Sequence, residues 1–185
     1  MPDPSPASSA LQACWLDRQA IVNLRGRPDD EVFLRAAGSA LGLALPTEAC
    51  RTARSPDLLI VWAGPDDWFV IGPEGRTMTL QEGLRQATSG LHAAVTDVSS
   101  GYVVLQLAGP PVRDVLAQGC PLDLHPRAFG PGHCAGSHFF KASVWLWPQA
   151  EGSGFELLVR RSFQGYVGLM LQRATRDCGL RWTPS

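Results

Sequence analysis

The chain has 185 residues, a formal net charge of −1, and a composition that is 45% hydrophobic and 8% aromatic. A folded chain of this length buries roughly 70% of the surface that its unfolded form exposes, so it builds a core without disulfides or a metal. Its 16 basic residues are balanced by 17 acidic ones, which excludes nucleic acid and membrane surfaces as partners attracted by net charge.

The first 18 residues are rich in proline, serine and alanine without a clear period, so we expect residues 1–18 to form a flexible arm. They contain neither the basic nor the apolar segment of a signal peptide. No run in the chain approaches the roughly 18 apolar residues that cross a bilayer. The five cysteines are odd in number and widely spaced, unlike those of a secreted disulfide framework. We therefore predict a soluble protein of the cytoplasm.

A strand and a helix are predicted after this arm. Residues 20–24 form an apolar, β-rich run. Asp29 or Asp30 can cap the helix that follows, because a short carboxylate accepts hydrogen bonds from the free N–H groups of a first turn. The apolar residues of this helix recur three and four positions apart until Gly42 ends it.

A hairpin and a second helix complete the first half of the chain, residues 19–93. Residues 43–57 are predicted to form a loop. Residues 58–62 and 68–71 are β-rich runs on either side of a Gly-Pro-Asp-Asp turn, a pattern typical of an antiparallel hairpin. The run from Thr79 to Glu82 has the form of a capping box, which predicts that a helix begins there.

The second half, residues 94–180, contains a similar mixture of strands and helices. The proline pair at 110–111 suits the first turn of a helix, where a missing N–H costs nothing, and Ser162 is predicted to cap a final helix that Gly179 ends. The predicted strands are residues 94–98, 102–107, 139–147 and 155–159. Strands that pair locally, with helices between them, predict an α+β fold with antiparallel sheets. We expect one domain over residues 19–185, built from two ferredoxin-like βαββα-type halves.

The loop at residues 119–138 concentrates residue types that carry chemistry. It contains three of the four histidines and two of the five cysteines, namely His125, His133, His138, Cys120 and Cys134. Imidazole and thiolate are ligands that zinc prefers, but this spacing matches no zinc finger, knuckle or ribbon. The alternative is a loop stiffened by prolines, with a buried thiol and with histidines that form hydrogen bonds.

A cysteine nucleophile in this loop would need a base within hydrogen-bonding distance and a third group that orients the base. Sequence neighbours such as His133 and Cys134 seldom meet that geometry. The chain also contains no Gly-x-Ser-x-Gly elbow. We therefore assign no catalytic, cofactor-binding or metal-binding residue to this chain.

The tryptophans offer a further candidate surface. Most of the six lie in or beside predicted strands, which favours packing in the core. Trp145 and Trp147 fall on the same face of one predicted strand. An exposed aromatic pair that meets a partner is therefore the alternative for these two residues.

Several blocks of the sequence, taken together, resemble one known family. Residues 63–73 include Gly-Pro-Asp-Asp-Trp, and residues 119–129 read Gly-Cys-Pro-Leu-Asp-Leu-His-Pro-Arg-Ala-Phe. The other similar blocks are residues 95–99, 105–110, 113–118, 132–135 and 155–163. These blocks resemble the gamma subunit of heterotetrameric sarcosine oxidase, and the resemblance extends from about residue 20 to about residue 180.

The resemblance implies a subunit of a complex that oxidatively demethylates sarcosine to glycine, with formation of hydrogen peroxide and methylenetetrahydrofolate. It implies that FAD, FMN, NAD, zinc and tetrahydrofolate are bound by other subunits, and that this chain carries no cofactor. The expected partners are the alpha, beta and delta subunits, mainly alpha, and the isolated chain is expected to be inactive. The implied fold resembles the folate-binding domain of aminomethyltransferases.

The resemblance also gives the loop a third interpretation, as a contact with the alpha subunit. Its prolines limit the freedom that the loop loses on docking. His125, Arg127 and Phe129 supply a hydrogen-bonding, a charged and an aromatic group, and we predict that they form the interface. Two alternatives stay open, the first from the analogy of fold and the second because residues 100–102 and 136–137 depart from the family pattern. They are a stand-alone folate-binding protein like an aminomethyltransferase, and a subunit of a related N-methyl amino acid oxidase or dehydrogenase.

Overall fold

The structure, a computed structural model, describes residues 10–184. Within this range the chain forms eleven β-strands and four α-helices. The strands are β1 (Leu11–Leu16), β2 (Ala20–Gly26), β3 (Thr52–Arg54), β4 (Leu59–Gly64), β5 (Asp67–Gly72), β6 (Ala93–Asp97), β7 (Tyr102–Ala108), β8 (Ala135–Phe139), β9 (Ala142–Pro148), β10 (Gly154–Arg160) and β11 (Leu180–Trp182). The helices are α1 (Glu31–Leu41), α2 (Thr77–Ala87), α3 (Val112–Ala117) and α4 (Gln164–Ala174).

The chain divides into two compact units. The central unit is Arg18–Tyr102, and the terminal unit joins the described residues up to Asp17 with those from Val103 onward. The predicted halves were 19–93 and 94–180, so the boundary differs at β6. This strand pairs antiparallel with β2, and its backbone hydrogen bonds therefore place it in the central unit.

The central unit is a five-stranded antiparallel sheet in the order β3-β4-β5-β2-β6. Apart from the short strand β3, its elements follow one another as β2, α1, β4, β5, α2 and β6, which is the ferredoxin-like βαββαβ arrangement. The predicted βαββα half contained all of these elements except the last strand. Both helices contribute to one core with the sheet. The largest buried members of that core are Phe33, Trp68, Leu24, Ile60 and Leu84.

The ends of α1 follow the prediction. The Asp30 carboxylate accepts hydrogen bonds from the N–H groups of Val32, at 2.9 Å, and Phe33, at 3.2 Å. Gly42 ends the helix in the left-handed conformation, with φ of +63°, where a residue with a Cβ is strained. The predicted hairpin is also confirmed, as β4 and β5.

The terminal unit contains a six-stranded sheet in the order β11-β1-β7-β10-β9-β8. β1 pairs antiparallel with β7 on one side and parallel with β11 on the other. The core of this unit includes residues from β1, β7, β9, β10, α3 and α4. The mixed α+β fold with mainly antiparallel sheets therefore agrees with the expectation from sequence.

The predicted flexible arm is wrong where the structure can be compared with it. Residues 1–9 lie outside the described residues. Leu11 and Ala13, however, are fully buried in β1, and their strand is hydrogen-bonded on both edges. The prediction failed because the partners of this strand lie about a hundred or more residues away, so no local turn marks it.

Three further predictions need correction. α2 begins at Thr77 without a side-chain cap, so the capping box at 79–82 does not form. Ser162 lies in a short 3₁₀ turn and caps nothing, and α4 ends at Ala174, before Gly179. The predicted strand 139–147 is two strands, because Phe140 turns the chain with a φ of +52°. The short strands β3 and β11 were not predicted.

Among residues 10–184, no helix combines the length and the apolar character that crossing a membrane requires. The longest helices in this range are α1, α2 and α4, with 11 residues each. An eleven-residue helix spans about 16 Å, roughly half of the hydrocarbon thickness of a bilayer.

We predict that Gly26→Ala destabilises the protein. A Cβ at this position would overlap the ring of Phe33, which is buried and lies against Trp68 with ring centroids 5.9 Å apart. The ring is fully buried, so displacing it disturbs the packing of the core, and we expect a loss of about 1–3 kcal/mol in the free energy of unfolding. Urea denaturation followed by tryptophan fluorescence measures it.

Gly83→Ala is the matched control. Gly83 is in the middle of α2, and no described atom beyond the neighbouring backbone of that helix lies within 4 Å of a Cβ at this position. Replacing a helical glycine with alanine stabilises a helix by about 0.5–1 kcal/mol. Equal unfolding midpoints for Gly26→Ala and the unchanged protein would contradict the close packing described for β2 and α1.

Candidate interaction surface

The loop that joins α3 to β8, residues 118–134, lies on the terminal unit and contains the predicted interface residues. It begins where the N–H of Phe140 donates to the carbonyl of Gly119 at 2.8 Å and the N–H of Cys120 donates to that of Leu116 at 2.8 Å. Four of its side chains are buried, namely Cys120, Leu124, Phe129 and Cys134. The loop is therefore packed onto the unit through its own apolar residues.

Arg113 on α3 fixes the middle of this loop. One Nη atom of its guanidinium donates to the carbonyl of Leu124, and the other donates to that of Gly152 at 3.4 Å. The guanidinium carbon lies 4.8 Å from the centre of the Phe155 ring. A planar cation suits this position because it stacks on an aromatic face while its N–H groups point outward in the plane of the guanidinium. The side chain thus ties the loop to the turn between β9 and β10.

The segment around His125 forms a tight turn. The Asp123 carboxylate accepts a hydrogen bond from the N–H of His125 at 3.0 Å. The carbonyl of His125 accepts from the N–H groups of Ala128 and Phe129, both at 2.9 Å. Its Nδ1 accepts from the N–H of Arg127 at 3.2 Å. The imidazole therefore helps to hold the turn, and the charged side chain of Arg127 is exposed beside it.

The three predicted interface residues differ in their exposure to solvent. His125 and Arg127 are exposed, and their role in an interface stays a prediction. Phe129 is only 7% exposed and lies in the core of the terminal unit. Its ring stacks on that of Phe155, with centroids 6.3 Å apart and an interplanar angle of 4°. We therefore withdraw Phe129 from the predicted interface, because a side chain buried in its own core is not available to a partner.

The zinc and nucleophile alternatives do not fit the geometry of the loop. Within the range 10–184, no three His, Cys, Asp or Glu side chains converge as metal ligands. The Cys120 thiol lies 3.7 Å from the hydroxyl of Ser137, and Cys134 is fully buried. The Nδ1 atom of His133 lies 3.1 Å from the backbone N–H of Gly130. These side chains contribute to packing and turn formation.

Trp147 is not part of an exposed pair. It is 1% exposed, and its indole N–H donates to Oε2 of Glu156 at 2.6 Å. The amide of Gln106 donates to Oε1 of the same carboxylate at 2.8 Å. Trp145 is half-buried. Glu156 is not among the residues predicted from sequence, although an acidic residue within the apolar run of β10 is an available signal for a buried, paired carboxylate.

A cleft of about 520 Å³ lies at one end of the sheet in the central unit. Its two arginines are paired with aspartates, Arg25 with Asp66 at 2.8 Å and Arg27 with Asp29 at 2.7 Å. The hydrogen bond from Arg27 lowers the pKa of Asp29, and the same bond raises the pKa of Arg27. Because the paired charges cancel and all four side chains are exposed, the cleft has no strong preference for an anion or a cation.

Sequence comparisons match this chain to gamma subunits of sarcosine oxidases. The sequence model of the sarcosine oxidase, gamma subunit family matches residues 25–177. The gamma subunit from an Arthrobacter species is 36% identical over 66% of this chain and 60% of that protein. The gamma subunit from Corynebacterium sp. strain P-1 is 35% identical over 77% of this chain and 68% of that protein. The chain thus aligns with 60% to 68% of the length of these relatives.

Solved structures share the fold. A chain of heterotetrameric sarcosine oxidase from Corynebacterium sp. U-96, in complex with pyrrole 2-carboxylate, has a TM-score of 0.85 at 27% identity. The match covers 92% of this chain and 86% of that chain. Aminomethyltransferase T of the glycine cleavage system from Bartonella henselae has a TM-score of 0.68 at 14% identity, over 96% of this chain and 49% of that one. This second likeness shows the fold alone, and it confirms the predicted resemblance to aminomethyltransferases.

We predict that Arg113→Lys loosens the loop. An ammonium group cannot bond both the Leu124 and Gly152 carbonyls while it stacks on the Phe155 ring. Hydrogen bonds to charged groups contribute about 1.5–3 kcal/mol, so we expect unfolding at lower urea and faster amide hydrogen exchange in residues 120–134. Arg127→Lys, at an exposed position of the same loop, is the control and should change neither. Unchanged exchange in Arg113→Lys would show that the loop holds without this contact.

Proposed function

This chain belongs to the sarcosine oxidase, gamma subunit family, and from that premise we propose that it is a non-catalytic subunit of a heterotetrameric sarcosine oxidase. The complex oxidatively demethylates sarcosine to glycine, with formation of hydrogen peroxide and methylenetetrahydrofolate. Its other members are the alpha, beta and delta subunits, and this chain contacts mainly alpha. FAD, FMN, NAD, zinc and tetrahydrofolate are bound by those other subunits, in the cytoplasm.

The observation that carries this proposal is the extent of the match. The family sequence model covers residues 25–177, and the similar chain of the Corynebacterium complex shares the fold over nearly the whole described range. The matched range includes strands and helices of both the central and the terminal unit. It also includes the complete loop at residues 118–134, so the predicted interface residues His125 and Arg127 lie within the range that matches the family.

The use of the polar side chains in the loop supports a non-catalytic role. A catalytic histidine or cysteine has to present a reactive atom to a substrate. In this loop, Nδ1 of His125 holds a turn, Nδ1 of His133 contacts the backbone of Gly130, and the thiols of Cys120 and Cys134 are buried. These residues shape a surface, and we infer that shape complementarity to the flavin-carrying subunits is what the chain contributes.

The loop is suited to docking because its conformation is set before a partner arrives. Three features hold it: the contacts of Arg113, the turn at His125 and the buried side chain of Phe129. A surface that is already ordered loses little conformational entropy on association. Arg127 then presents an exposed guanidinium, a group that is frequent in interfaces.

We predict that Arg127→Ala weakens assembly. All four subunits are co-expressed with an affinity tag on alpha, and the amount of this chain retained per alpha subunit is measured. Losing one interfacial arginine costs about 1–2 kcal/mol, which corresponds to a five- to thirtyfold weaker complex. Arg35→Ala removes an exposed arginine from α1 of the central unit and serves as the control. Equal retention of both variants would exclude Arg127 from the interface.

We also predict that the isolated chain has neither flavin nor activity. The purified protein should show no flavin absorbance, bind no tetrahydrofolate and release no peroxide from sarcosine, because its polar loop residues serve structural roles. Adding the other subunits should restore a complete complex. Tight binding of tetrahydrofolate by the chain alone would favour instead a stand-alone protein of the aminomethyltransferase type. Peroxide release from another N-methyl amino acid by the complex would revise the substrate only.

A further inference from the structure

A second surface of the terminal unit exposes large apolar side chains. Phe163, immediately before α4, is 38% exposed, Leu169 on α4 is 45% exposed, and Trp182 on β11 is 40% exposed. Trp182 stacks on Trp15 with ring centroids 6.1 Å apart and an interplanar angle of 15°. It also lies beside α4, since a Cβ at Gly168 would be 4.0 Å from its ring. We call this region, with the outward residues of the helix, the α4 surface.

The outward side of α4 contains an exposed glycine, Gly165. Gly165, Leu169 and Gln172 follow one another at intervals of four and three residues, so they lie on one side of the helix. A glycine inside a helix costs about 0.5–1 kcal/mol relative to alanine. At Gly165 no described atom beyond the neighbouring backbone of its own helix lies within 4 Å of a Cβ position, so packing against the described residues does not require a glycine here. Because Gly165 has no side chain, the backbone of α4 is accessible to another chain at this point.

The segment that contains Phe163, Leu169 and Trp182 is rich in arginine. Residues 160–184 contain five arginines and a single acidic residue, Asp177, whereas the whole chain has a net charge of −1. Four of the arginines are exposed, namely Arg160, Arg173, Arg176 and Arg181. Exposed aromatic and aliphatic side chains together with arginines are the composition that distinguishes protein interfaces from the remaining surface.

The charge also indicates what covers this surface. Arg161 is paired with Asp17 at 3.1 Å, and the four exposed arginines supply the remaining positive charge. In a two-fold dimer the same surface meets itself, and two copies of a region with these exposed arginines would repel one another. A different protein with acidic groups around an apolar patch has the complementary charge. The α4 surface is also next to the loop at residues 118–134, because the side-chain amide of Gln118 donates to the carbonyl of Ala174, at the end of α4, at 2.9 Å.

We propose that the α4 surface docks on an acidic, apolar-centred surface of another subunit of the oxidase complex. The inference rests on the proposed function and extends it to a second contact region. Leu169 and Trp182 enter the apolar patch of the partner. The exposed arginines, Arg173 and Arg176 among them, face its carboxylates.

Two substitutions test the apolar and the charged parts separately. Leu169→Glu places a carboxylate at the centre of the contact, and the double variant Arg173→Glu/Arg176→Glu reverses charge at its edge. Met78→Glu is the control for the first, since Met78 is 68% exposed on α2 of the central unit. Arg35→Glu/Arg76→Glu, with two exposed arginines of the central unit, is the control for the second.

The dissociation constant for the remaining three subunits is measured by biolayer interferometry with full-length chains, at low and high salt. Leu169→Glu should raise it by more than about tenfold, mainly through faster dissociation. The double arginine variant should slow association and reduce its dependence on salt. Both control variants should bind like the unchanged chain. Circular dichroism and thermal unfolding establish that every variant is folded.

The outcomes separate the two proposals. If the unchanged chain fails to join the other subunits, the proposed function fails, and this inference fails with it. If the unchanged chain joins them and all variants join equally well, only the α4 surface is excluded. Self-association of the chain that Leu169→Glu abolishes, seen by analytical ultracentrifugation, would replace the partner with a second copy. Binding to phosphatidylcholine vesicles with about 30% phosphatidylserine, lost in the double arginine variant, would replace it with a membrane surface.

Discussion

The terminal unit depends on one strand, β1, which holds the two ends of the described chain together. The N–H of Leu11 donates to the carbonyl of Gly179 at 3.0 Å, and the N–H of Thr183 donates to that of Ala13 at 2.9 Å. On its other edge the same strand is antiparallel to β7. Because β1 lies between β7 and β11, it brings Trp15 against Trp182 and thereby places the exposed aromatic ring beside α4.

The loop at 118–134 illustrates how residues that suggest chemistry can serve structure. Its histidines and thiols are of the types that metals and nucleophilic enzymes use. His125 and His133, however, contact the backbone of turns, and Cys120 and Cys134 are buried. The residue that organises the loop, Arg113, lies outside it on α3. Its guanidinium N–H groups donate hydrogen bonds to backbone carbonyls of two irregular segments, Leu124 in the loop and Gly152 in the neighbouring turn, which helps to order the loop without regular secondary structure.

Burial divides the aromatic residues of the terminal unit into two groups with different roles. Phe129 and Trp147 are withdrawn from solvent, the first against Phe155 and the second through a hydrogen bond to Glu156. Phe163 and Trp182 remain in contact with solvent and lie in the arginine-rich segment 160–184. The two groups cannot be told apart by residue type, because an aromatic ring suits a core and an interface equally well.

The sequence by itself determined the elements whose signals are local. The Asp30 cap, the turn at Gly42 and the β4–β5 hairpin depend on residues a few positions apart, so their spacing predicts them, and the family resemblance follows from contiguous blocks. Only the tertiary structure decided that residues 11–16 are a strand, that Phe129 is buried and that Trp182 is exposed. Each of these outcomes depends on contacts between distant parts of the chain, such as β1 with β11, and such contacts leave no periodic pattern in either partner.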